Sequence, residues 1–257
     1  MNSKNRILIF IAGCFSFSVL GGFLLHAKVE AGGLVFILGP FLFAMALILS
    51  RKTESRFSFL QFNFKGNSKN YFLSIVLYPI ALLFIIGIGN LLQLTKINFD
   101  KSTLLFHSIL IEFFSRMIFA FFEEMGWRGF LELEFKRANI NATKRHFYVG
   151  LVWALWHLPF IFTSNYTTIP YGIFIPTFIL GVIFLAFIYG YLLQKTNSIW
   201  AGVFFHGISN TLAWAVISSK FAVFSNPILV NISPESIVGL VFFGTIVIFL
   251  FPKKATT

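Results

Sequence analysis

Apolar runs of membrane-spanning length follow one another along this chain almost without interruption. A helix needs about 20 apolar residues to cross a hydrocarbon layer of ~30 Å. The stretches 7–25, 33–49, 71–92, 104–136, 147–162, 173–193, 199–217 and 237–251 meet or approach that length. The first lacks a small-residue cleavage site and is followed by further spans, so it reads as a membrane helix and not as a removed leader. The links are short. One of them, 50–70, sets Arg51, Lys52, Arg56, Lys65 and Lys69 among Phe57, Phe59, Phe62 and Phe64. That pattern fits a basic aromatic segment lying in the interface and an ordinary cytoplasmic loop equally well. The expected fold class is all-α: a polytopic membrane helical bundle of about eight transmembrane helices, forming a single membrane domain over residues 1–257.

Composition and charge sharpen this picture. With 57% hydrophobic, 19% aromatic and 11% charged residues, the chain is too apolar for a soluble globule of 257 residues. Its net charge of +11 does not by itself indicate nucleic acid. Topology accounts for it instead. With both termini cytoplasmic, 14 Lys and Arg fall in inner links, four in outer links, and two, Arg116 and Arg128, inside spans; such a bias follows the positive-inside rule. The single cysteine, Cys14, sits in the first apolar run as a small hydrophobe.

Candidate chemistry begins where the apolar pattern is broken. The fourth run contains Glu112, Arg116, then Glu123, Glu124 and Arg128. Ionisable groups are costly in lipid and usually face a bundle interior or a watered cavity. At about 100° per residue, Glu124 and Arg128 share a face and can pair, whereas Glu123 falls within roughly 40° of Glu112 and Arg116. One glutamate is thereby fixed and the other is available as a general base. His157 lies about 15 Å into the fifth run and His206 about 10 Å into the seventh, counted from their cytoplasmic starts. Asn210 shares a face with His206. Glu123, His157, His206 and Asn210 can thus occupy one layer, where histidines and a carboxylate could bind zinc or polarise a water, and the amide could donate to an oxyanion. His26 and His146 fall in links, and His107 lies near the outer end of the fourth run; each is read as structural or solvated.

Other intramembrane chemistries find no support. No H-E-x-x-H occurs, the only aspartate is Asp100, and no G-x-S-x-G accompanies Ser209.

Taken together, Glu123-Glu124-x-x-x-Arg128, Trp153-x-x-x-His157 and His206-x-x-x-Asn210 resemble the signature of the CPBP family. These are the CAAX protease and bacteriocin-processing membrane proteases, also called Abi, which are related to type II CAAX prenyl endopeptidases. The resemblance covers mainly residues 115–212. It implies an eight-helix fold with a cavity open toward the cytoplasm, and hydrolysis of a peptide bond in a membrane-associated peptide or protein. In that reading Glu123 activates water, Glu124 and Arg128 hold the motif, His157 orients the water, and His206 with Asn210 stabilises the oxyanion. A metal held by Glu123, His157 and His206, with zinc the candidate, and a metal-free glutamate mechanism are both compatible with these residues. One departure stands in the second motif, which commonly opens with Phe and here has Trp153. The richness in Phe, Ile, Asn and Lys points to an AT-rich bacterial genome and a multi-pass cell-membrane protein, for which a prenylated CAAX substrate is not expected. The alternative function is a non-catalytic immunity or regulatory protein that binds a peptide or membrane partner in the same cavity.

Overall fold

The computed structural model describes residues 1–51, 61–64, 67–164 and 166–251. The helices begin where short polar residues can take up the free N–H groups of a first turn. Asn2, Asn67, Asn141 and Ser236 each accept a backbone N–H at 2.9–3.1 Å and open helices α1 (Ser3–His26), α3 (Ser68–Leu91), α6 (Ala142–Thr163) and α9 (Ile237–Leu250). Helix α2 spans Ala31–Leu49, α7 Tyr171–Thr196 and α8 Trp200–Ser219. Asn197 and Lys220 end α7 and α8 in the left-handed conformation. The result is a polytopic helical bundle.

The fourth run forms one nearly continuous rod. Helix α4 (Ser102–Gly126) passes through a π-helical stretch, Trp127–Leu131, into α5 (Glu132–Arg137). A π turn widens the helix by one residue and is common at functional sites. Here it follows directly on the Glu123-Glu124 pair. Gly126 lets α4 approach α2, because a Cβ at this position would press on the Pro40 backbone and ring.

Among the described residues, six helical stretches are long and apolar enough to cross a membrane: α1, α2, α3, the Phe99–Arg137 rod, α6 and α7. Their outer faces carry Phe23, Leu83, Leu91, Ile111, Phe114 and other exposed apolar side chains, as a lipid-facing surface requires. Helix α8 is 20 residues long but carries His206, Ser209, Asn210 and Thr211, and α9 is only 14 residues long. Both belong to eight-run expectations that the apolar pattern alone made look uniform.

Two features were not anticipated. Strands β1 (Thr95–Ile97) and β2 (Ala222–Phe224) pair antiparallel and join the α3–α4 link to the α8–α9 link. From β2 the chain then turns down into the bundle. Val230 lies against Gly89 near the end of α3, the Tyr78 hydroxyl donates to the Ile232 carbonyl at 3.0 Å, and Pro234 and Glu235 lie against Gly181, midway along α7. The loop 225–236 therefore plugs this side of the bundle, and α9 starts at depth. Glu235 on it is 7% exposed. Burial pushes its carboxyl up to about 7, against smaller opposing effects of its own backbone N–H and the Ser233 hydroxyl.

The basic link also differs from expectation. Arg145 and His146, placed in a link by the sequence reading, lie in the first turns of α6 and are buried. The reason is Glu132, whose Oε1 meets Arg145 Nε at 2.6 Å and His146 Nδ1 at 2.9 Å. Of the aromatic segment 50–70, Phe62 and Phe64 pack on Trp200, while Phe57 and Phe59 lie outside the described residues.

Candidate active site

Glu123 and Glu124 are adjacent in sequence and separated in environment. Glu124 is fully buried. Its Oε1 accepts from Arg128 Nη1 at 3.1 Å, across one turn, and from His206 Nδ1 at 2.8 Å. Arg128 is sandwiched, its guanidinium 4.0 Å from the Tyr189 ring centroid and 4.6 Å from that of Trp153. Cation–π contacts of this kind strengthen when desolvated. Gly202 admits the arrangement, since a Cβ there would stand 2.9 Å from Glu124 Oε2.

Glu123 is 7% exposed and is not free of partners. Two indoles donate to its Oε2: Trp153 Nε1 at 2.9 Å from α6 and Trp127 Nε1 at 3.3 Å from the π stretch. Its Oε1 faces His206 Nε2 at 3.9 Å. His206 therefore stands between the two carboxylates, with Nδ1 committed to Glu124 and Nε2 turned to Glu123. Since Glu124 accepts at Nδ1, a neutral His206 carries its lone pair on the edge toward Glu123.

The rings of Trp153 and Tyr189 stand against His206, with centroids 5.6 and 5.8 Å away. His157 lies one helical turn further along α6, within electrostatic range of Glu123 and His206. Its Nδ1 donates to the Trp153 carbonyl at 2.8 Å, which fixes the ring and leaves Nε2 as the open edge. Phe36, Trp156 and Phe178 box it in. Asn210 is half-buried one turn beyond His206 on α8, and its amide has no hydrogen bond among the described residues. Glu112 and Arg116, on the stripe that points toward Glu123, pair with each other at 2.9 Å and are about a quarter exposed.

Glu123, Glu124, Arg128 and His206 thus form one connected cluster, with His157 and Asn210 along its side. The indoles of Trp127 and Trp153 and the Tyr189 ring complete it, and the sequence reading assigned none of them a role. An aromatic in an apolar run looks like a lipid or core residue. Only the spacing of Trp127 four residues after Glu123 hinted otherwise. As for a metal, no group of three His, Cys, Asp or Glu side chains among the described residues converges closely enough to hold an ion. His206 Nδ1 is engaged by Glu124 and His157 Nδ1 by its own helix, which leaves the Nε2 edge of each ring open.

Residues 105–212 match a family model described as type II CAAX prenyl endopeptidase Rce1-like. The chain is similar to that family over this stretch. All six residues singled out from the sequence lie inside it. A curated relative named CAAX prenyl protease 2, from the archaeon Methanococcus maripaludis, is 26% identical over 190 residues, covering 68% of this chain and 68% of the relative. The matched stretch includes the α4–α5 rod from residue 105 on, all of α6 and α7, and α8 as far as residue 212. Helices α1 to α3 and the plugging loop fall outside it.

Proposed function

We propose that the protein is an intramembrane endopeptidase of the CAAX-protease type, hydrolysing a peptide bond in a membrane-associated peptide or protein with Glu123 as general base. The observation that carries this reading is the asymmetry of the acidic pair: Glu124 is neutralised by Arg128, while Glu123 is held by two neutral indoles with one oxygen facing His206. The 3.9 Å between Glu123 Oε1 and His206 Nε2 is too long for a hydrogen bond. It suits a water that bonds to both at about 2.8 Å.

Glu123 takes one proton of that water as its oxygen attacks the scissile carbonyl carbon. The carbonyl oxygen becomes an oxyanion, for which the open amide of Asn210, one turn beyond His206 on α8, is a donor. The C–N bond then breaks, and Glu123 returns the proton to the leaving nitrogen. His206 orients the water, with His157 within electrostatic range of both His206 and Glu123; Glu124 and Arg128 are positioning residues. The aromatic walls limit competing water.

Three variants, Glu123→Gln, His206→Ala and His157→Ala, test this reading at matched levels in liposomes against a library of fluorogenic amphipathic peptides. Loss of a general base lowers the rate roughly 10²–10⁴-fold. Equal cleavage by Glu123→Gln and wild type would overturn the assignment. A cellular phenotype that survives all three substitutions would favour the non-catalytic partner.

A further inference from the structure

A second polar site lies away from the catalytic cluster, among the ends of α5, α6 and α7. It is a cavity of about 320 Å³ whose lining includes Glu132, Lys136, Arg145, Gln194 and Asn197. This volume is near the lower end for small-ligand pockets.

Its charges do not cancel. Glu132 is met by Arg145 and His146 through a single oxygen, Oε1. Lys136 is exposed and makes no ion pair among the described residues. Arg145 uses Nε on Glu132 and Nη1 on the Ile140 carbonyl, at 2.6 and 3.1 Å, so the Nη2 edge remains. Two cations and one carboxylate leave the lining with an excess of one positive charge. Two side-chain amides, Asn197 and Gln194, add donors, though one N–H of Gln194 is engaged with His146 Nε2 at 2.7 Å. Opposite in character to these, Glu132 Oε2 is buried and has no hydrogen-bond partner, in a residue that is 2% exposed. A buried carboxylate oxygen without a donor is costly, and a ligand bearing a donor next to its anion would satisfy it.

The position of the cavity narrows the choice. The inner-link assignment puts Lys136, Arg145 and Asn197 at the cytoplasmic boundary, where phosphate groups of lipids lie, and basic pockets between membrane helices on that side hold anionic head groups. We infer that this cavity binds a phosphodiester head group whose alcohol carries an ammonium or hydroxyl, with Lys136 and Arg145 on the phosphate and Glu132 Oε2 on the donor. Glu132 opens α5, directly after the π stretch that carries Arg128. A bound head group therefore braces the end of the helix that positions the acidic pair.

The test uses the purified full chain in a neutral detergent and follows thermal stability by intrinsic tryptophan fluorescence. The probes are dihexanoyl phosphatidylethanolamine, dihexanoylglycerol without phosphate, and inorganic phosphate. Wild type is compared with Lys136→Glu, an exposed position, and with Lys144→Glu, an exposed lysine that does not line the cavity. The expected result is a saturable rise in melting temperature with the phospholipid and none with dihexanoylglycerol. The apparent affinity falls at least tenfold in Lys136→Glu and is unchanged in Lys144→Glu. A shift given by inorganic phosphate alone, with the same loss in Lys136→Glu, retains the phosphate site and makes free phosphate its source. No shift with either phosphate-bearing probe overturns the inference, as does a shift equal in Lys136→Glu and wild type or one lost equally in Lys144→Glu.

Discussion

The indole N–H of Trp153 reaches across from α6 to Glu123 on α4 and donates to its Oε2 at 2.9 Å. This bond orients the carboxylate so that its other oxygen faces His206. A hydrogen bond to a charged group contributes about 1.5–3 kcal/mol. Trp153→Phe keeps an aromatic wall, and Trp127 still donates at 3.3 Å. The turnover rate is expected to fall roughly 10-fold, since about 1.4 kcal/mol corresponds to one decade, with KM little changed. Trp127→Phe combined with Trp153→Phe is expected to lose considerably more than the single change. Steady-state rates in liposomes distinguish these outcomes.

Arg128 is 1% exposed and is the countercharge of Glu124. Removing one partner of a buried pair typically costs 3–5 kcal/mol, because the remaining charge is left uncompensated. Arg128→Met alone is expected to reduce the yield of monodisperse protein sharply. Glu124→Gln together with Arg128→Met should restore much of the melting temperature without restoring cleavage. Size-exclusion profiles and thermal melts measure the first effect, peptide cleavage the second.

Cleavage is expected to survive chelation. The three residues proposed as metal ligands do not converge among the described residues, and the proposed steps need only protein groups. Extended incubation with 1,10-phenanthroline should leave the initial rate unchanged. Inhibition that added zinc reverses would contradict the mechanism.

Glu235 gives a pH signature to stability. Its carboxyl is raised to about 7 in the fold, from an ordinary value of 4.5, mainly by burial. The buried neighbours with which it interacts are the Tyr78 and Tyr166 phenols, and neither supplies a positive charge. Between the two values the unfolded chain has released its proton and the folded one has not, so the group's contribution to stability is present below about pH 4.5 and is lost as pH rises through about 7. The full loss amounts to roughly 2–4 kcal/mol at about 1.4 kcal/mol per unit. Glu235→Gln should therefore melt higher than wild type at pH 8 and show little advantage at pH 5. A constant difference between the two proteins across that range would refute the assignment.

The helices and the acidic pair were legible because they rest on local facts. A run of apolar residues must bury its backbone polar groups in helix, and the spacing of Glu124 and Arg128 places them on one face whatever surrounds them. What escaped was set by contacts distant in sequence. Trp153 is 30 residues from Glu123, and His146 looked like a link residue until Glu132 was placed beside it. The descent of 225–236 depends on Tyr78 and Gly181, and no periodicity in the loop itself announces it. Whether a histidine meets a given carboxylate depends on how far each helix extends. Helix α6 begins at Ala142, five residues before the apolar run, because Asn141 caps it and Glu132 holds its first charged turn.

The rod from Phe99 to Arg137 has a consequence for where cutting can occur. Its 39 residues, at about 1.5 Å each, make roughly 58 Å against a hydrocarbon slab of about 30 Å. A helix that long fits only by leaning or by carrying its ends past the slab, and its lean is tied to bilayer thickness. The proposed general base, Glu123, rides on it about 20 Å from the Arg137 end. A thicker or thinner membrane therefore moves the height of Glu123 relative to the lipid–water boundary, and with it the register at which a membrane-held peptide is presented for cleavage.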